Sequence, residues 1–255
     1  MAFIFYLQDS GKQYSTIQSY LSAITFAHKV RGLSDPTDSF LLKKFLLGTK
    51  RMSQSGSQLD PITAPMLLEL IHLVDTLSTT SYNKALLRAL MSLLYHGCLR
   101  ISEVAHSGTT RHALKEDQVT FAVKTPRRVP DKLIIVMTSF KHSKATQTLE
   151  IRPSLTKAIC PIRLLREYQA LKPASTHLFC DKQGVLISRQ FVIDWLQQLV
   201  RRSSFRSKRL NTHSFRIGRT TDLVLQGGVS DAYIRHVGRW SSNAYMKYVR
   251  SVVVL

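Results

Sequence analysis

Apolar residues recur every three or four positions between residues 14 and 30. Ile17, Tyr20, Leu21, Ile24 and Ala27 form the stripe, and Gln18, Ser19, Ser22 and Lys29 fill the rest. This spacing predicts an amphipathic helix. A second helix is expected after Pro36, with Asp38 or Ser39 as N-cap, Phe40, Leu41 and Phe45 inside, and a stop at Gly48. From Arg51 to Asp60 the chain turns polar, with Ser53, Ser55, Gly56 and Ser57 and no apolar period, and reads as a linker. Periodicity returns after Pro61. Thr63 suits an N-cap and Pro65 a first turn, followed by Met66, Leu67, Leu70, Ile71 and Val74 on one face. A further helix carries Leu86, Leu87, Leu90, Met91 and Leu94 and ends near Gly97.

The period then changes to two. Gln118 to Val123 alternates, Leu133 to Met137 is a short apolar run, and Gln147 to Ile151 alternates again, so three strands are expected. The last two are joined by a polar, basic turn from Thr138 to Thr146 that would project from the sheet edge. From Pro161 onward helices resume: Ile162, Leu165 and Tyr168 form one stripe, and Phe191, Trp195, Leu196 and Leu199 another after Ser188. The pattern is mainly α with a small antiparallel β-sheet, an α+β chain with no internal repeat.

Composition sharpens this picture. With 255 residues and 44% hydrophobic positions the chain can bury a proper core, as one large domain or as a domain with a smaller companion, of which the pair is favoured. Lys and Arg number 36 against 16 Asp and Glu, a formal charge of +20. That excess points to a polyanionic partner, whose counterions would be released on binding. Cys98, Cys160 and Cys180 lie far apart with no spacing suited to zinc, which fits a reducing compartment. No apolar run approaches the roughly 20 residues that span a bilayer. Met1 to Leu7 is apolar but lacks a basic start, so it does not read as a signal peptide.

Three stretches carry candidate chemistry. Asn211-Thr212-His213-Ser214-Phe215-Arg216 opens a helix on which His213 and Arg216 share a face. A phosphate there would meet a helix N-terminus, a guanidinium fork and an imidazole able to move or donate a proton; the plainer alternative is a basic helix touching DNA backbone. Arg100 sits among Leu99, Ile101 and Val104 with Glu103 three residues on, either as a structural ion pair or with Glu103 aiming its guanidinium at a ligand. Gly238-Arg239-Trp240 precedes Tyr245 and Tyr248, and a tyrosine in such a place is ordinarily a core or interface aromatic.

Taken in order, Leu99-Arg100-Ile101-Ser102-Glu103, the basic hairpin, His-x-x-Arg, Gly-Arg-Trp and Met246-Lys247-Tyr248-Val249-Arg250 resemble the tyrosine recombinase (phage integrase) family over nearly the whole chain. Asp60-Pro61-Ile62-Thr63 and Gly238-Arg239-Trp240-Ser241-Ser242 look especially like recombinases of DIRS-like or Crypton-type eukaryotic mobile elements. The resemblance implies a helical core-binding (SAM-like) DNA-binding domain at 1–52, a linker at 53–60 and a catalytic domain at 61–255, closing as a clamp on duplex DNA. It implies that Arg100 and Arg216 bind the scissile phosphate, that His213 belongs to the His-x-x-Arg box, and that Tyr248 is the nucleophile. Lys144 would protonate the leaving 5′ oxygen, with Lys141 competing, and Trp240 would donate a hydrogen bond to the phosphate. Arg201, Arg202, Arg206, Lys208, Arg209, Arg239 and Lys141 are the expected DNA contacts. The reaction implied is site-specific cleavage and rejoining through a 3′-phosphotyrosine without metal, ATP or other cofactor, by a homotetramer on DNA that is a monomer or dimer when free. No membrane and no small-molecule substrate is implied, and the location would be nuclear for a eukaryotic element and cytoplasmic otherwise.

The chain departs from the family pattern in three places. Its N-terminal part is short for a four-helix core-binding domain. Eight positions rather than nine separate Trp240 from Tyr248, so Arg239 competes for that slot. Seven residues follow Tyr248, and Val252 to Leu255 could add an edge strand where relatives dock a helix on a neighbouring subunit. Rival classes are a metal-dependent nuclease or DDE-type transposase, for which the carboxylates are too scattered, a non-catalytic DNA-binding protein of the same fold, and a type IB topoisomerase.

Overall fold

A computed structural model of the chain describes residues 1–52, 58–106, 108, 112–123, 132–138 and 146–250. The chain divides into two compact units, Met1–Gln58 and Leu59–Leu255. The expected linker straddles that division, and its residues 53–57 lie outside the described set.

The first unit holds α1 (Ala2–Asp9), α2 (Tyr14–Val30) and α3 (Phe40–Met52). Their core is small: Ile4, Leu7, Ile17, Leu21 and Leu42. Helix α2 follows the predicted stripe. Helix α3 does not stop at Gly48 as expected but continues through it. A mid-helix glycine costs roughly 1 kcal/mol, and the next residue offsets that cost. Thr49 is buried, donates to the Phe45 carbonyl at 3.0 Å and accepts from Gln8 Nε2 at 3.0 Å.

The second unit is built on α4 (Ala64–Asp75) and α5 (Ser81–His96). From Ala85 to His96 only Arg88 of α5 escapes full burial, which makes α5 the central helix of this unit. Each buried Leu along it contributes roughly 1.5–3 kcal/mol of transfer free energy. Strands β1 (Val119–Ala122), β2 (Lys132–Met137) and β3 (Gln147–Ile151) form an antiparallel sheet in the order β1-β2-β3. Leu133, Ile135 and Met137 face the core alternately, joined by Leu149 and Ile151. The register pairs Met137 with Gln147, which fixes the base of the basic β2–β3 turn. Helices α6 (Pro161–Gln169), α7 (Arg189–Arg202), α8 (Ser214–Leu225) and α9 (Asp231–Gly238) complete the unit, and a 3-10 turn, Asn243–Tyr248, carries both candidate tyrosines. Among the described residues no helix is long and apolar enough to cross a membrane.

Helix α8 is locked against the segment that begins the unit. Ile62 N donates to the Ser214 carbonyl at 2.9 Å, and a Cβ on Gly218 would fall 1.7 Å from the Ile62 carbonyl oxygen, so only glycine allows this approach. One turn on, Asp222 accepts from Ala64 N at 2.8 Å, capping α4 from outside, and from the Tyr95 hydroxyl.

Candidate nucleic-acid active site

The site is assembled at the C-terminal ends of two helices. Helix α5 ends at Gly97, and Cys98 adopts a positive φ of 45°, an uncommon choice for a residue with a side chain. The resulting turn presents the Gly97 and Cys98 carbonyls, two of the acceptors that a helix end leaves without partners. Helix α9 ends at Gly238, and the left-handed residue that follows is Arg239 (φ 57°, ψ 48°) rather than the glycine. Its last carbonyls, Val237 and Gly238, join the first pair.

Two guanidinium groups fill the space between these ends. Arg216, on the first turn of α8, is fully buried; Nη1 donates to the Cys98 carbonyl at 2.5 Å and Nη2 to the Gly238 carbonyl. Arg239 donates from Nη2 to the Cys98 carbonyl at 2.8 Å and to Glu103 Oε2 at 2.9 Å, and from Nη1 to the Gly97 and Val237 carbonyls at 3.2 and 3.1 Å. The negative ends of two helix dipoles thus face two cations. Glu103 is also fully buried. Its Oε2 accepts from the Arg100 backbone N–H at 2.8 Å and its Oε1 from Arg100 Nη1 at 3.2 Å. Of the two sequence readings of Arg100 the structure shows the ion pair with Glu103, and the Arg100 side chain stays 19% exposed.

Three arginines surround a single carboxylate, leaving two positive charges in excess. Burial first, then the like charges of Arg100 and Arg239, push the Arg216 pKa down to about 10, while Glu103 acts in the opposite direction. Arg216 remains a cation at neutral pH. The arrangement is a preformed anion site, since cations fixed by protein dipoles need not reorganise when a charge arrives.

The aromatic wall follows from the Gly-Arg-Trp turn. A Cβ on Gly238 would lie 1.6 Å from the Trp240 ring, so the glycine is the floor on which the indole rests. Trp240 covers Arg216, whose guanidinium carbon is 4.1 Å from the ring centroid. Tyr248 completes the wall: its ring centroid is 5.2 Å from those of both His213 and Trp240, and 5.6 Å from the Arg216 guanidinium carbon. Thr221 of α8 anchors this segment, its hydroxyl donating to the Tyr248 carbonyl at 3.3 Å and accepting from Arg250 N at 3.2 Å. Tyr245 is placed differently. It is buried with Leu223 and Ile234, and its hydrogen bond to Asp231 raises its pKa.

No protein-family model matches the sequence, and no curated protein does. Solved structures do. The Tn1549 transposon integrase in complex with transposon right-end DNA superposes with a TM-score of 0.65 at 14% identity, over 98% of this chain and 79% of that one. XerH site-specific recombinase bound to difH substrate gives 0.55 at 15% identity over 94% and 68%, and a lambda integrase dimer bound to a core site 0.57 at 13% over 100% and 66%. The chain has the fold of the tyrosine recombinases.

On this recombinase fold the expected site residues separate into groups. Arg100, His213, Arg216, Trp240 and Tyr248 come together. Lys141 and Lys144 lie outside the described residues; Gln147, the first residue of β3 after them, lies against α9, its Nε2 donating to the His236 carbonyl at 2.8 Å. Arg201, Arg202, Arg206, Lys208 and Arg209 are exposed along the end of α7 and the connection to α8. Val252 to Leu255 lie outside the described residues. Arg239 is where the structure departs from the sequence reading: expected on the DNA surface or in the slot of Trp240, it is buried beneath the site, because its left-handed backbone turns the side chain inward. Sequence reasoning also passed over Cys98 and Thr221, whose contributions are backbone geometry and a hydroxyl anchor that no motif marks. The nearby Gly238 was noted only as part of a turn.

Proposed function

We propose that this chain is a site-specific DNA recombinase that cleaves and rejoins strands through Tyr248. The observation that carries the reading is the placement of the Tyr248 ring against His213 on one side and the Arg216 guanidinium on another, beside Trp240 and a cluster with two positive charges in excess. The DNA-bound integrases and recombinases that share the fold point the same way.

In this reading Arg100 and Arg216 neutralise the non-bridging oxygens of one phosphodiester. The Tyr248 hydroxyl attacks phosphorus and passes its proton to His213. The P–O5′ bond breaks, and the leaving oxygen takes a proton from Lys144, with Lys141 the competing donor. The product is a 3′-phosphotyrosine and a free 5′ hydroxyl, so the reverse attack by another strand needs no external energy source. Electrostatics answer the two obstacles to the step: a phosphodiester repels nucleophiles, and the phenol must give up its proton as it attacks. The exposed basic run from Arg201 to Arg209 serves backbone phosphates, and exchange of two strands at two sites calls for four protomers.

The test is covalent trapping. A pool of nicked duplexes of random sequence, incubated with the full chain in EDTA, is expected to yield a denaturant-resistant adduct whose linked peptide contains Tyr248 by mass spectrometry. Sequencing of the linked DNA then gives a working site. Tyr248→Phe is expected to bind the same DNA and form no adduct. An adduct on Tyr245, or activity only with added divalent metal, overturns the assignment. Supercoil relaxation without strand exchange would instead favour the topoisomerase reading.

A further inference from the structure

Arg239 occupies a left-handed conformation that side-chain-bearing residues seldom adopt, and its side chain is 0% exposed. Its four terminal N–H contacts go to the Gly97, Val237 and Cys98 carbonyls and to Glu103, which leaves none for a phosphate, whereas Arg216 commits two of its four. What it does touch is one group that holds each of the other two arginines, Glu103 for Arg100 and the Cys98 carbonyl for Arg216. Glu103 Oε2 is shared between Arg239 Nη2 and the Arg100 backbone N–H, while Oε1 of the same carboxylate receives Arg100 Nη1. The Cys98 carbonyl is shared between Arg239 Nη2 and Arg216 Nη1. The Gly97 and Val237 carbonyls, from the two helix ends, meet on Arg239 Nη1. One planar guanidinium thus ties the end of α5 to the end of α9.

We propose that Arg239 is a positioning residue of the recombinase site, holding Glu103 and the Gly97–Cys98 turn from beneath so that Arg100 and Arg216 stand at the spacing of a single phosphate. The inference rests on the reading given under Proposed function. Only a forked side chain makes these contacts together: lysine could meet Glu103 but not also bridge carbonyls of both helix ends. The left-handed backbone is what aims the fork inward.

The experiment uses the full chain and the duplex recovered by trapping, with an ordinary phosphodiester or a neutral methylphosphonate at the mapped scissile position. Arg239→Met is expected to bind the duplex within about twofold of the parent, because phosphate contacts of the exposed basic run persist. It is expected to form adduct roughly 30-fold or more slowly on the phosphodiester, and less than about fivefold more slowly on the methylphosphonate, where there is less charge to neutralise. Arg239→Lys is expected to fall between Arg239→Met and the parent, and it carries the test should Arg239→Met fail to fold. A lower melting temperature with an unchanged adduct rate, or the same slowing on both linkages, overturns the proposal and leaves Arg239 a purely structural residue. Absence of adduct with the parent chain overturns the recombinase reading and this inference together, whereas adduct formed equally by the parent and both variants overturns this inference alone.

Discussion

The floor and the lip of the site are built on opposite principles. In the floor, Arg216, Arg239, Glu103 and Cys98 are buried, and the terminal nitrogens of both arginines are committed to carbonyls or a carboxylate. At the lip, Arg100, His213, Trp240 and Tyr248 are only partly buried. The floor gains its charge from helix ends whose carbonyls would otherwise lack partners, so two cations are held where water would screen them least. The lip keeps in reach of solvent the groups to which the proposed reaction gives proton exchange and bond formation. A site divided this way has the electrostatics of its floor fixed before any ligand arrives.

Removing a charge from the floor should do the most damage. Arg216→Ala is expected to lower the adduct rate by roughly 10²–10³-fold, and to cost about 1–3 kcal/mol of stability because the Gly238 carbonyl loses its donor and the Cys98 carbonyl keeps only Arg239. Single-turnover trapping and urea unfolding measure the two separately. A rate within tenfold of the parent would mean that the floor is not where charge is read.

Glu103→Gln attacks the floor from the other side. It leaves Arg100 and Arg239 without their counter-charge, and breaking a buried ion pair by removing one partner costs about 3 kcal/mol or more. The urea midpoint is therefore expected to fall more than for Arg216→Ala, the reverse of the order in adduct rate. If Glu103→Gln unfolds at the parent's midpoint, the carboxylate does not hold the floor together.

The lip was legible in the sequence, and of the floor only Arg216 and the pairing of Glu103 with Arg100 were. His213 and Arg216 three apart, the Gly-Arg-Trp turn and Tyr248 are linear features, and periodicity alone placed α2, α4, α5 and β3. Arg239 was read as a surface or donor residue, because no pattern announces that the residue after Gly238, rather than the glycine, takes positive φ. Glu103 was seen as a partner for Arg100, but its second partner comes from 136 positions away. Helix α1 hid inside an apolar run without clear period, where only Ile4 and Leu7 face inward. Helix α9 did carry a signal that went unused: Ser230 caps Tyr233 N at 3.2 Å, and Ile234 and Val237, three apart, are its buried face. Gly48 shows the converse, a local stop signal overridden by packing.

Where floor meets lip, Gly238→Ala offers a smaller perturbation. The added methyl would occupy the place of the Trp240 ring, which must swing off Arg216 or push α9 aside. Overpacking of this kind costs about 1–3 kcal/mol. Trp240 fluorescence should shift as the indole loses the guanidinium, and the adduct rate should fall while DNA affinity holds. An unchanged emission maximum would mean that the indole is not seated on this glycine.

The mildest test asks whether the floor stays assembled in acid. His96, in the last turn of α5 just before the Gly97–Cys98 turn, is buried with Nδ1 3.0 Å from the Ser92 carbonyl. Burial first, then the charge of Arg219, lowers its pKa from the usual 6.5 to about 4. A histidine kept neutral in the fold binds its proton more readily when unfolded, so its effect on stability is nil above about pH 6.5 and grows unfavourable as pH falls toward 4. At pH 5.5 the penalty is about 1.4 kcal/mol. His96→Gln, which cannot titrate, is expected to flatten that part of the urea-midpoint profile between pH 7 and 5. Parallel profiles for the parent and His96→Gln would show that this end of α5 does not sense protons, and that any acid weakening of the site begins at the lip.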